Sequence, residues 1–259
     1  ADIGVAMGIT GTDVSKEAAD MILEDDDFST IVAAVEEGRR IYANIRRFVR
    51  YLLTTNSAEI WVMVLAPLLG LPLPLLAIQI LWINLVTDGA PALSLGVEPA
   101  HPRAMKEPPR DPDASILGGG LWQHALWVGL LMAGLTLVVQ ATAIGNDASE
   151  ETWRTMVFTA LAFMQLSHAL VVRSERESIF KLGLTTNMVL LVVIVATALV
   201  QLALIYVPLL QPIFQTTALA PVELGLVLLV TPVPFLAVEI EKWVARRLEV
   251  SGSGASGSE

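Results

Sequence analysis

Cysteine is absent from the 259 residues. That excludes disulfide frameworks, thiolate metal sites and cysteine nucleophiles at once, and leaves the fold to be held by packing. Charge is also scarce, with Asp, Glu, Lys and Arg making up 16% of the chain, and the balance is acidic at -10. A nucleic-acid partner is excluded on that ground, because phosphate binding needs clustered Lys and Arg. The opening ADIGVAMG has neither the basic start nor the apolar stretch of a signal peptide and reads as the middle of a domain. What is abundant is apolar: 54% of the residues are hydrophobic and the mean hydropathy is +0.63, outside the range of ordinary soluble domains and characteristic of a membrane protein.

Residues 1–50 are polar, with a short apolar run (IGVAMG), a Gly/Thr/Asp turn and helical spacing from Ser15 to Met21, as at the end of an α/β domain. From Ser29 the pattern IVAAVEEGRRIYANIRRFVRYLL keeps one face apolar and runs without interruption into an apolar stretch, which predicts one long helix leaving the cytosol for the bilayer. Six stretches approach the roughly 20 apolar residues that cross a hydrocarbon core: Tyr51–Leu69, Leu75–Val97, Leu121–Ile144, Trp153–Val172, Asn187–Val207 and Val222–Trp243. The second carries Gly89 and Pro91 in its middle, and a broken helix is expected there. With the amino end inside, every one of the 16 Lys and Arg residues except Arg154 falls on the cytoplasmic side, so six spans with both termini cytoplasmic are predicted.

The expected fold is thus an all-α polytopic membrane protein with six transmembrane helices and a short α/β stub at the N-terminus. Its expected parts are a stub over 1–35, a cytoplasmic stalk over 36–50, the six-helix domain over 51–247 and a flexible low-complexity tail (SGSGASGSE) over 248–259.

Polar groups within an apolar span are costly and tend to face a bundle interior or an ion path. In the first span Asn56 and Glu59 share a helix face, and in the second Asn84, Thr87 and Asp88 do so at i, i+3 and i+4. Hard cations such as calcium take about six to eight oxygens from carboxylates, amides, hydroxyls and carbonyls. These five side chains are of that kind, and a break near Asp88 would add free carbonyls. The alternative is that Asn and Thr bond between helices and Glu59 is buried and protonated. Gln165 and His168 share a face of the fourth span, as ligands or as interhelical hydrogen-bonding groups. His124 is expected at the membrane interface, and Glu223 and Glu239 are expected to be boundary charges.

ILWINLVTDGAPALSLGVEPA resembles the sixth transmembrane helix of P-type calcium-transporting ATPases, and MKEPPRDPDASIL the cytoplasmic loop after it. RRFVRYLLTTNSAEI resembles their fifth helix, and residues 1–39 the end of their phosphorylation domain. The resemblance extends to about Arg247. It implies that Asn56, Glu59, Asn84, Thr87 and Asp88 are ion ligands and that the chain supplies helices five to ten of a pump.

NLVTD is similar to the calcium pumps rather than to the DLGTD of sodium/potassium pumps, and the Cys-Pro-Cys of soft-metal pumps is missing. Where two-calcium pumps carry Glu in the eighth helix, this chain has Gln165, a neutral ligand at most. The family's DKTGT, TGE and TGDGxND motifs, its nucleotide domain and its first four helices do not occur in these residues. No catalytic residue is therefore expected here, with calcium as the transported ion and ATP and magnesium used only by the longer parent. The expected partners are the lipid bilayer and the N-terminal remainder of the pump. Short loops point to a bacterial plasma membrane. A stand-alone non-catalytic helical module and a manganese pump are the alternatives.

Overall fold

The computed structural model describes residues 3–101, 104–106, 108–111, 114–175 and 177–255, with side chains to residue 248. Arg103 and Arg176 of the expected cytoplasmic set, parts of the MKEPPRDPDASIL loop and the last four residues of the tail lie outside them. The chain divides into two compact units, Ala1–Ala43 with Pro99–Pro112, and Asn44–Glu98 with Asp113–Glu259.

In the first unit β1 (Val5–Met7) and β2 (Met21–Leu23) pair in parallel, with Ala6 opposite Ile22. Parallel strands need a crossover, and α1 (Asp13–Glu17), capped by the Thr12 hydroxyl, lies in it. Asp26, at a φ of 55°, accepts from the Ile9 and Thr10 amides at 2.8 and 2.9 Å and from the Thr10 hydroxyl at 2.7 Å. The Thr10 hydroxyl above all, with the amides, holds its carboxyl below the usual range. Arg39 donates to the Ala104 carbonyl at 2.6 Å, and Arg110 lies over the Tyr42 ring at 4.1 Å.

The 40-residue α2 (Ser29–Leu68) is long because nothing between its ends stops it: Gly38 costs a little helix propensity, and Pro67 falls in the last turn. It spans roughly 60 Å. Gly70, at a φ of 75°, ends it by donating to the Pro67 carbonyl while Leu71 donates to Ala66, which satisfies the last carbonyls.

The second unit holds the part of α2 from Asn44 onward and, after it, α3 (Ala77–Trp82), a π-helical turn (Ile83–Asp88) and α4 (Gly89–Leu95) in one run. There follow α5 (Leu121–Gly145), α6 (Glu150–Val171), the short α7 (Ile179–Leu182), α8 (Met188–Tyr206), the short α9 (Gln211–Phe214), α10 (Pro221–Val230) and α11 (Val233–Ala255). The last expected span is interrupted by a turn at Thr231 and Pro232, where Pro232 and Pro234 remove two backbone donors. The tail is helical as far as Ala255.

Among the described residues four helical runs are long and apolar enough to cross a membrane: Ala77–Leu95, Leu121–Gly145, Met188–Tyr206 and Pro221–Leu248. The other two expected spans are helical but more polar, α2 carrying Thr54, Thr55, Asn56 and Glu59, and α6 carrying Thr155, Thr159, Gln165 and His168. α6 tolerates this because it is nearly all buried, packed on α5, α8, α10 and α11, so its polar groups face protein. Its start is capped by the Ser149 hydroxyl, which accepts from the Thr152 amide at 3.2 Å, and Glu150 and Glu151 suit the positive end of its dipole.

Within lipid, helices associate through close packing and small residues rather than by escape from water. Gly129 of α5 shows this: a Cβ there would lie 2.5 Å from Ser57 Oγ and 3.1 Å from the Ala58 nitrogen of α2. Gly129→Ala is expected to cost about 1–3 kcal/mol by overpacking, measured as a lower thermal midpoint of the purified protein.

Candidate ion site

The polar stripe of α2 is set by helical periodicity. Tyr51, Thr54, Thr55, Ala58, Glu59 and Val62 are its buried residues around the middle of the apolar stretch, three or four apart. Tyr51 begins this stripe two turns before Glu59.

Opposite it the second span does not break where expected. The helix passes Gly89 and Pro91 without unwinding, and the irregularity lies one turn earlier as the π-turn INLVTD, which contains Asn84, Thr87 and Asp88. Pro91 supplies the physical reason. In an α-helix its amide would donate to the Thr87 carbonyl, but proline has no amide hydrogen and its ring crowds that carbonyl. The freed Thr87 oxygen accepts instead from the Tyr51 hydroxyl at 3.3 Å. A π-turn satisfies the backbone in a wider register and is a frequent feature of functional sites.

Glu59 is the centre of one group. Its Oε2 accepts from Asn84 Nδ2 at 2.7 Å and its Oε1 from Gln165 Nε2 at 3.1 Å, which joins α2, the π-turn and α6. Asp88 is fully buried, and its Oδ1 meets the Tyr51 hydroxyl at 3.4 Å. Asn56 is turned to its own helix, donating to the Leu52 carbonyl at 2.7 Å. The structure therefore brings Glu59, Asn84 and Gln165 into direct contact and links Asp88 and Thr87 through Tyr51.

Several buried oxygens here have no hydrogen-bond partner among the described residues: Asp88 Oδ2, Thr87 Oγ1 and Gln165 Oε1. An unmet buried polar group costs about 1–3 kcal/mol, so three together call for an explanation. A cation supplies one, since all three are hard oxygen donors of the sort calcium takes. Among the described residues no group of three or more His, Asp or Glu side chains could hold a metal ion. The described residues thus offer an ion two carboxylates, Glu59 and Asp88, with neutral oxygens around them. Asn84 is exposed in this chain.

His124, near the start of α5, is buried within the protein. Its ring stacks on His168 at 5.6 Å, and His168 stacks on Tyr51 at 6.1 Å, while His124 Nδ1 meets Glu241 Oε2 at 3.0 Å. The His124 ring of α5 thus lies against His168 of α6, and Trp127 of α5 also reaches Glu241, its Nε1 donating to Oε1 at 3.3 Å. Glu239 is also more than a boundary charge, accepting from the Ile179 amide and from buried Lys242 at 3.1 and 3.2 Å. Glu223 does sit at a helix start, accepting from the Ala220 amide.

Comparison with known families decides the relationship. Residues 72–244, from before the π-turn to the last helix, match the family described as "Cation transporting ATPase, C-terminus". The chain belongs to that family. Among its relatives, "Calcium-transporting ATPase" of Bacillus subtilis is 43% identical over 235 residues, covering 90% of this chain and 26% of the relative. "Calcium-transporting ATPase type 2C member 2" of Rattus norvegicus is 46% identical over 243 residues, 93% of this chain and 26% of the relative. "Calcium-transporting ATPase type 2C member 1" of Homo sapiens is 44% identical over 249 residues, 96% and 27% respectively. This cation-transporting ATPase C-terminus spans about a quarter of the length of the curated relatives it matches.

Proposed function

We propose that this chain is the C-terminal membrane part of an ATP-driven calcium pump and provides most of its intramembrane ion site. The observation that carries the reading is the group of buried, unpartnered oxygens of Thr87, Asp88 and Gln165 beside the π-turn and the Glu59 cluster. Hydrogen bonding between helices, the bland alternative, accounts for Glu59 and Asn84 but leaves these three oxygens unexplained. The ligands proposed are Asn56, Glu59, Asn84, Thr87, Asp88 and, as a neutral oxygen, Gln165. Asn56 reaches an ion through its amide oxygen, its Nδ2 being held by Leu52.

The exposure of Asn84 at membrane depth agrees with a further helix of the parent closing the site from that side. Six spans with both ends cytoplasmic follow from the charge asymmetry together with the burial of α6, whose polar residues need not face lipid. Residues 36–50 of α2 act as a stalk. α2 is one helix from Ser29 through Glu59, and phosphorylation in the parent is coupled to the ion site along this element. ATP and magnesium act in the parent alone, and the setting is a plasma membrane of bacterial type.

The test is transport. The full-length protein in sealed vesicles is expected to take up calcium-45 on addition of ATP. Uptake of manganese without calcium would replace the cargo, and uptake of neither ion would leave the non-catalytic helical module as the reading.

A further inference from the structure

Glu98 and Arg173 form an ion pair in which both side chains are almost wholly buried, 5% and 1% exposed. The pair is forked: Arg173 Nη2 reaches Glu98 Oε1 at 2.7 Å, and Nε lies 3.0 and 3.1 Å from the two oxygens. The rest of the guanidinium is also satisfied, Nη1 donating to the Gly183 carbonyl at 3.0 Å and Nη2 to the Thr186 hydroxyl. Asn187 donates to Glu98 Oε2 at 2.7 Å and to the Ser94 carbonyl at 3.1 Å. Asn44 of α2 donates to the Gly96 and Glu98 carbonyls at 2.9 and 3.0 Å.

The end of α4 and the residues just after it are thus tied at once to α2, to the end of α6 and to the turn before α8. Glu98 lies three residues past α4, and α4 begins at the residue after the π-turn.

A buried ion pair is a poor way to gain stability, because desolvation offsets most of its attraction and apolar residues of similar volume serve as well or better. In some proteins such a pair specifies one arrangement instead. Here one arrangement needs specifying. A π-turn is rarer than α-helix, and removing its extra residue from the register would turn the following segment by about 100° and draw it along by about 1.5 Å. The segment that would turn is α4, and the residues directly before it, at the end of the π-turn, are Thr87 and Asp88.

We propose that the Glu98–Arg173 pair, with Asn187 and Asn44, is a clasp that locks the rotation of α4, and that Arg173 is thereby a positioning residue for the ion site. The inference rests on the calcium-site reading above. It makes the loop after α6, far from the ion in sequence, a determinant of calcium affinity.

The experiment uses the full-length protein and reads the calcium concentration for half-maximal phosphorylation by labelled ATP, beside the KM for ATP. Glu98→Gln and Arg173→Ala are each expected to raise the calcium requirement about tenfold, equivalent to about 1.4 kcal/mol, with the ATP KM unchanged. The double variant should be little worse than the worse single one, as for two halves of one contact. Arg173→Lys, which keeps the charge without the fork, should fall between.

An unchanged calcium requirement in Glu98→Gln, with only a lower yield or thermal midpoint, overturns the proposal and leaves the pair a plain structural tie. If Arg173→Ala cannot be purified, the nearly isosteric Glu98→Gln decides alone. Failure of the calcium-site reading shows separately, as calcium-independent phosphorylation of the unsubstituted protein, and removes this inference with it.

Discussion

Asp88→Asn in the full-length protein is expected to abolish calcium-dependent phosphorylation by ATP. Asp88 is fully buried, its Oδ1 meets the Tyr51 hydroxyl at 3.4 Å, and its Oδ2 has no hydrogen-bond partner among the described residues. The substitution keeps shape and volume but replaces a negative charge by a neutral amide. Removing one member of a buried charge pair costs about 3–5 kcal/mol, and between a carboxylate and a dication that is about two to nearly four orders of magnitude in affinity. Glu59→Gln should weaken the site less. Glu59 already has both oxygens occupied by amide donors, from Asn84 and Gln165, so it offers an ion fewer free lone pairs. Labelling with radioactive ATP across a calcium titration measures both variants. Unchanged calcium dependence in Asp88→Asn would remove that residue from the site.

One calcium ion per phosphorylation site is the expected plateau of equilibrium calcium-45 binding without ATP. Glu59 and Asp88 bring two negative charges, which neutralise one dication. A second buried dication would need further carboxylates to offset its desolvation. Gln165 brings none, and its amide hydrogen is already given to Glu59 at 3.1 Å.

Gln165→Glu reverses the sign of that contact. Two carboxylates about 4 Å apart repel by about 4 kcal/mol at an effective dielectric of about 20, a repulsion that a second dication or a proton relieves. The variant is therefore expected to move the plateau toward two ions, with a stronger dependence on pH than the unsubstituted protein. A cooperative plateau near two in the unsubstituted protein would show that neutral oxygens and water suffice for the second ion.

Local repetition carries what was legible in the residues. Asn56 with Glu59, and Asn84 with Thr87 and Asp88, each share a face by helical spacing alone. The apolar lengths of the second, third, fifth and sixth stretches announce helices that the structure contains. Even the irregularity of the second span is signalled by Gly89 and Pro91, though it takes the form of a widened π-turn before them rather than a break. Proline tells which carbonyl loses its partner, but whether the helix unwinds or widens depends on what else can satisfy that carbonyl. Here it is a hydroxyl 36 positions away, on another helix.

The same limit explains the other differences. His124 stands near the end of its apolar stretch, and only the packing shows its ring enclosed by protein, against His168 and Glu241. Asn56 shares a face with Glu59, but its amide bonds backwards to Leu52, which no spacing rule foretells. Arg173 and Glu98 gave no signal, each being an ordinary charge near the end of a span, and their pairing across 75 residues exists only once α4 and α6 are packed.

From the residues alone come the membrane class, the long helix, the oxygen-rich character of the site and the exclusion of thiolate chemistry, since all of these are properties of composition and of single-helix periodicity. The tertiary structure decided which polar groups meet, which oxygens are left without partners and where the backbone widens. Those depend on the rotation and register of one helix against another, and that rotation is set by contacts between residues far apart in the chain.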